Sequence, residues 1–368
     1  MSMIVHLITG LNVGGAELAL FRLLEGLSEH ERARHRVISM IAPGAVAEKI
    51  EALNIPVASL DMQPGRITYS GLLRLVSLLH HTPEWHLQCW MYHANLLGSV
   101  ACLAMFRPRN LIWGIRNSLS HIKREKWMTR HIIRQSAMLS LLPQRIVYVA
   151  KRSTQQHEAL FYAKSRTQVI PVGYDVEGFA PGTADKLRAL VQTAAPLVAH
   201  VGRWDWTKDH ANFIAALAQV PAAHGVLIGK NVDTNNAELM ALLKQHGMAE
   251  RVHLLGYRDD VAQLLPGADL LCLSSITEAQ PNAVGEAMAC GVPCVVTDVG
   301  DAADLVGDTG WVVPAQDSAA LAKALRTALA SDYKAKGQAA RARILQHFTR
   351  ETMLAQWRKL YADLGWLS

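Results

Sequence analysis

The stretch TEAQPNAVGEAMACGVPCVVTD, Thr277 to Asp298, with DLLCLSS (Asp269 to Ser275) just ahead of it, decides the architecture. DLLCLSS is an apolar run of strand length, and a polar loop carrying Glu278 follows it. Pro281 suits the first helical position, and the helix is expected to continue through Glu286, Ala287 and Met288 until Gly291-Val292-Pro293 stops it. PCVVTD then opens another strand. Strand, loop, helix and strand in that order predict a parallel sheet covered by helices on both faces.

The same alternation extends in both directions. LVAHVGR (Leu197 to Arg203), HGVLIG (His224 to Gly229), RVHLLG (Arg251 to Gly256) and GWVV (Gly310 to Val313) read as strands of one series. Ile4 to Ile8, RVISMIA, VASL, LIWGI, RIVYVA and QVIPV form an earlier one, whose first strand ends in Gly10 and Gly14-Gly15 before the helical AELALFRLLEGL. A polar, Pro/Gly-marked stretch, GFAPGTADK (Gly178 to Lys186), separates the two series. At about 150 residues per domain, 368 residues fit two. The expected division is a first doubly wound domain over 1–178, a second over 179–345, and a last helix in 346–368, whose Trp357, Tyr361 and Trp366 are expected to dock, back on the first domain.

Hydrophobic residues make up 50% and charged residues 18%, which excludes long-range disorder. The most apolar stretch, Leu96 to Phe106, is too short to span a membrane. MSMIVHLITGLNVGG lacks a basic leader and reads as a first strand rather than a signal peptide, so a cytoplasmic protein is expected. Cys89, Cys102, Cys272, Cys290 and Cys294 are odd in number and lie in apolar surroundings, which suits reduced core thiols. The 16 histidines include no HExxH or CxxC partner, so no metal site and no cofactor is expected.

The chemistry concentrates around the first motif. Glu278 lies just before a helix and Glu286 on its second turn, so both border a ligand at the helix N-terminus. There the unpaired N–H groups near Asn282 and Ala283 and the helix dipole favour a phosphate, and the carboxylates suit hydroxyls flanking it. In VGRWDWTKDHANFIAAL, Arg203 ends a strand and Lys208 starts the next helix, so two cations converge on a diphosphate, Arg as a fork and Lys as a point charge. Gly14-Gly15 lets backbone approach a ligand ahead of a helix start, and it is not the GxGxxG pattern of dinucleotide binding. Taken singly, these features also fit solvated helix ends and ordinary tight turns.

Together they resemble the signature of retaining glycosyltransferase family four, the glycosyl transferases group 1 with the GT-B fold. The resemblance extends over nearly the whole chain and is dense over 197–315. It implies two Rossmann-like domains facing a cleft, the acceptor mostly on the first and a nucleotide diphosphate sugar, UDP- or GDP-linked, mostly on the second. It further implies that Arg203 and Lys208 stabilise the leaving diphosphate without a metal. Glu286 then holds the ribose and Glu278 the donor sugar, with Gln280 and Pro281 beside them. His93 in WMYHANLLG matches a histidine near donor sugar and acceptor, and it is placed near the end of a strand. Arg116 in GIRNS is a candidate for an acceptor phosphate, and Tyr257 and Arg258 in GYRDD stand where relatives hold the nucleobase. Two departures bear on specificity: Val172 replaces the usual Asn at the domain junction, and Ala279-Gln280 replace Gly and a large apolar residue after the first Glu. The expected activity is hexosyl transfer to a glycan or lipid-linked glycan in cell-surface polysaccharide or glycolipid synthesis. The alternatives are a GT-B nucleotide-sugar epimerase or phosphorylase, or a catalytically silent binding partner.

The net charge of +6 is uneven, with 13 Lys/Arg against Glu125 and Glu158 between Arg107 and Arg166. Within Ser118–Pro143, helical spacing places Lys123, Lys126, Arg130 and Arg134 along one side, with Arg124 and Trp127 among them. Such a face suits an anionic surface, here the inner face of the cytoplasmic membrane. No nucleic-acid reader motif is present, and none is expected as a partner.

Overall fold

The computed structural model describes residues 2–366. It divides into two units, residues 1–172 with 350–368, and residues 173–349. The chain therefore crosses between units after Val172 and after Thr349, rather than after 178 and 345.

The first unit is built on a seven-stranded sheet of β1 (Met3–Ile8), β2 (His35–Ser39), β3 (Val57–Ser59), β4 (Trp85–Trp90), β5 (Leu111–Ile115), β6 (Arg145–Tyr148) and β7 (Thr167–Val169). The strands are all parallel in the order β3-β2-β1-β4-β5-β6-β7. The second unit repeats the plan with β8 (Leu197–Val201), β9 (His224–Ile228), β10 (Val252–Leu254), β11 (Leu270–Leu273), β12 (Cys294–Thr297) and β13 (Trp311–Val313), parallel in the order β10-β9-β8-β11-β12-β13. In each sheet the winding direction reverses between two central strands, β1/β4 and β8/β11. The loops leaving their carboxyl ends diverge there and open a crevice for ligands.

The expected last helix is Arg350–Asp363, and a separate helix, Tyr333–His347, precedes it on the other side of the point where the chain crosses. Met353, Leu354, Trp357, Leu360, Tyr361 and Trp366 are buried in one core of the first unit with Ile4, Ile8 and Leu24. A polar seam runs through that core. Trp90 Nε1 donates to His6 Nδ1 at 3.2 Å, and His6 Nε2 lies 2.8 Å from His35 Nδ1. The indole proton requires an unprotonated His6 Nδ1, so His6 carries its proton on Nε2 and donates it to His35. Both rings are neutral: burial, then the neighbouring His35, depresses His6, and burial brings His35 down to about 4. His157, whose Nε2 is 2.9 Å from Tyr92 Oη, is likewise lowered by burial to about 4.

These groups set an acid limit on stability. The unfolded chain protonates them as pH falls through about 6.5, whereas the folded chain resists until about 4, so unfolding takes up protons in between. Stability is expected to be level above pH 6.5 and to fall by a few kcal/mol per group on the way to pH 4. Denaturant titrations from pH 7.5 to 4.5 check this; a pH-independent midpoint contradicts it.

The basic segment departs from the single helical stripe. Residues Ile122–Arg124 form one 3-10 turn, Glu125 is extended (φ −66°, ψ 150°), and the helix Trp127–Leu139 begins after Lys126. Lys123 and Lys126 therefore lie off the helix that carries Arg130 and Arg134. Glu125, with Lys126 as N-cap, ends one turn before the next begins. Lys123, Arg124, Lys126 and Arg134 are exposed, as is Trp127.

Candidate active site

In the second unit the loops after β8 and β11 flank the crevice. Asp205 organises the first: its Oδ1 accepts from Thr207 N at 3.0 Å and from Thr207 Oγ1 at 2.6 Å, forming a tight turn that ends at Lys208. Ile276 N donates to Thr207 O at 2.8 Å and ties the two loops together. Lys208 Nζ consequently reaches Glu278 Oε1 at 2.5 Å, and Ser275 Oγ donates to the same oxygen at 2.8 Å. The pair is largely shielded, with 23% of the lysine and 14% of the glutamate side chain exposed.

Pro281 is the N-cap of the helix Asn282–Ala289 rather than its first residue, and no side chain caps that end. The intrahelical ladder leaves the N–H groups of Asn282, Ala283 and Val284 unused. They present positive potential four to six residues beyond Glu278, the setting for an anion. Glu286 is half-buried on the second turn. Tyr174 supports this helix from the other side, because a Cβ on Gly285 would lie 2.0 Å from the Tyr174 ring. Gln280 Nε2 also donates to Tyr174 Oη at 3.2 Å. Sequence reading attached no role to Tyr174, Ser275 or Asp205; for Asp205, the Asp-x-Thr spacing of an Asx turn was the available signal.

Arg203 is mostly exposed and only loosely tethered, its Nε 3.4 Å from Asp205 Oδ2. Arg258, expected near a nucleobase, instead grips Asp260 through Nε at 2.8 Å and Nη2 at 2.6 Å, and Lys186 adds a contact at 2.6 Å. The bonds from Arg258 and Lys186 hold the Asp260 carboxyl well below the usual carboxylate range. That fork is committed within the protein, leaving Tyr257 as the exposed group of the pair.

In the first unit, Gly14 and Gly15, His93 and Arg116 follow the carboxyl ends of β1, β4 and β5, three neighbouring central strands of the sheet. His93 lies three residues past the end of β4, as expected, as the second residue of the helix Tyr92–Ala104, and burial lowers its pKa, so the ring is neutral at neutral pH. Met91 (φ 74°) makes the turn between strand and helix. The Arg116 guanidinium stands over the Trp90 ring, 5.9 Å from its centroid. At the Gly14-Gly15 helix start the place for an anion is served by the chain itself. A Cβ on Gly14 would lie 2.4 Å from Glu17 Oε2, and the Glu17 carboxyl is raised by burial against the pull of the Ala16 and Glu17 amides.

Two Rossmann-like parallel-sheet domains with a cation–carboxylate pair at a helix start define a protein of the GT-B type. Residues 195–331, within the second unit, match the family model of the glycosyl transferases group 1. It is 28% identical to the N-acetyl-alpha-D-glucosaminyl L-malate synthase of Bacillus anthracis over 47% of either chain. It is 29% identical to the UDP-Gal:alpha-D-GlcNAc-diphosphoundecaprenol alpha-1,3-galactosyltransferase of Escherichia coli over 38% of either. The chain thus spans less than half the length of these curated relatives. The crystal structure of Anabaena Alr3699/HepE in complex with UDP and glucose superposes with a TM-score of 0.84 at 25% identity, covering 98% of this chain and 99% of that one.

Proposed function

We propose that the protein transfers a hexosyl group from a nucleotide diphosphate sugar to a hydroxyl of a glycan or lipid-linked glycan, with retention at the anomeric carbon. The observation that carries the reading is the 2.5 Å contact of Lys208 with Glu278 beside an uncapped helix start. Lys208, Arg203 and the amides of Asn282 and Ala283 neutralise the charge that grows on the departing diphosphate, with no divalent ion. Glu286 takes the ribose hydroxyls and Glu278 the hydroxyls of the donor sugar. His93 and Arg116 serve the acceptor, whose oxygen bonds to the anomeric carbon on the face the diphosphate leaves, while a diphosphate oxygen takes its proton. The family match and the UDP named for the Escherichia coli and Anabaena proteins support this choice.

Incubation with UDP-, GDP- and ADP-sugars and membrane extract tests it through nucleotide release. Release from one donor, dependent on extract and unchanged by EDTA, is expected. Silence with every donor, or loss with EDTA and recovery with magnesium, overturns the reading.

No helix among the described residues is long and apolar enough to cross a membrane. A lipid-linked acceptor is met at the membrane's inner face through Lys123, Arg124, Lys126, Arg130 and Arg134, with exposed Trp127 and Met128 beside them. Co-sedimentation with anionic vesicles and much less with neutral ones is expected; equal, negligible binding to both removes this surface.

A further inference from the structure

Behind the loop that carries Arg203 and Lys208 lie two buried histidines to which the proposed chemistry assigns no part. His200, on β8, is 2% exposed, and His210, the first residue of the helix His210–Ala218, is 3% exposed. Their ring centroids are 4.5 Å apart. Phe213 lies 5.1 Å from His200 and Trp204 4.9 Å from His210, so the imidazoles sit inside an aromatic column.

Their polar edges are directed to the backbone of the loop. His200 Nε2 is 3.1 Å from Ser274 Oγ and 3.3 Å from the Lys208 carbonyl. Ser274 Oγ in turn donates to the carbonyls of Lys208 at 2.8 Å and Asp209 at 2.9 Å. With its own proton given to those carbonyls, the hydroxyl accepts from His200 Nε2–H. His210 hydrogen-bonds the carbonyl of Gly202. His200 Nδ1 and His210 Nε2 have no partner among the described residues, so neither ring has an acceptor for a second proton.

The loop needs such restraint. Asp209 is left-handed (φ 47°, ψ 55°), a conformation that costs a non-glycine residue about 1–2 kcal/mol and persists only where the surroundings hold it. The charged groups facing the pair are Lys208 toward both rings and Asp205 toward His210. Lys208 is itself directed at Glu278.

We infer that His200, His210 and Ser274 are positioning residues that clamp the carbonyls of Gly202, Lys208 and Asp209, and so aim Arg203 and Lys208 at a diphosphate. The inference rests on the reading of those two cations as the diphosphate site. It separates the nucleoside end of the donor, which the clamp does not touch, from the second phosphate, which it governs.

Calorimetric titration of the full chain with UDP and UMP, and with GDP and GMP, tests it alongside thermal midpoints. Ser274→Ala removes the hydroxyl, and His210→Phe keeps a ring in the column while removing its hydrogen bond. Each variant is expected to weaken binding of the diphosphate about tenfold, the equivalent of one or two hydrogen bonds. Monophosphate binding is expected within about twofold of the parent. In a Lys208→Met background Ser274→Ala should add little, because the group being aimed is gone. Unchanged diphosphate-to-monophosphate ratios overturn the inference, as does equal loss of both ligands with a collapsed midpoint, the mark of a purely structural role. A parent protein that binds diphosphate no better than monophosphate overturns the diphosphate site first and the clamp with it.

Discussion

Lys208→Ala is expected to lower kcat by about 10²- to 10³-fold, the range found when a preorganised donor is removed from developing negative charge. Two effects combine. The ammonium that balances the leaving diphosphate disappears, and the Glu278 carboxylate, 14% exposed, loses the cation 2.5 Å away and keeps the Ser275 hydroxyl. A shielded carboxylate without its cation is left uncompensated, so its hydroxyl contacts with the sugar loosen as well. Lys208→Arg should recover part of the rate because charge is kept while the point-like geometry is not. Arg203→Ala should cost less, about tenfold, since its guanidinium is 62% exposed and screened. Steady-state kinetics on the cognate donor decide the matter; wild-type kcat in Lys208→Ala rules out the site.

The second large effect comes from a residue with no functional group. Gly300→Ala is expected to lower the thermal midpoint by about 5 °C or more and to depress activity together with it. Gly300 sits at φ +51°, where a side chain is strained, and its added Cβ would meet the Ala279 carbonyl oxygen at 2.3 Å and that of Glu278 at 2.4 Å. Those atoms are the backbone of the loop that presents Glu278 and Gln280. Asp301 N also holds the Ala279 carbonyl at 2.8 Å, so the loop cannot move aside without losing that bond. Overpacking of this kind costs about 1–3 kcal/mol beyond the backbone strain. Gly247→Ala supplies the control: φ is +63°, yet nothing lies within 4 Å of the added atom. It should show the backbone cost alone and full activity. Equal midpoint losses in the two variants contradict the steric account.

The parts of the site legible in the sequence are those whose geometry is local. Glu278, Pro281 and Glu286 are placed by one loop and the start of one helix, and Arg203 and Lys208 by one turn, so spacing along the chain implies spacing in the molecule. The alternation of apolar runs and helical periods likewise implies a parallel sheet, since strands running one way need crossover helices. The Lys123–Arg134 stripe reads less well. The extended Glu125 between a 3-10 turn and the helix Trp127–Leu139 breaks the helical spacing on which that stripe depends.

Sequence by itself determined that the chain makes two series of βαβ units and which side chains stand at the strand ends, because hydrophobic period and turn residues act over a few neighbours. Tertiary structure alone decided what those side chains meet. Ser274 reaches Lys208 across 66 residues, Tyr174 reaches Gln280 across 106, and Tyr361 reaches Gln88 across 273. It also decided that the helix Arg350–Asp363 belongs to the first core. Such partners are chosen when burial leaves a polar atom one available neighbour, and that neighbour is known only after the sheets have assembled.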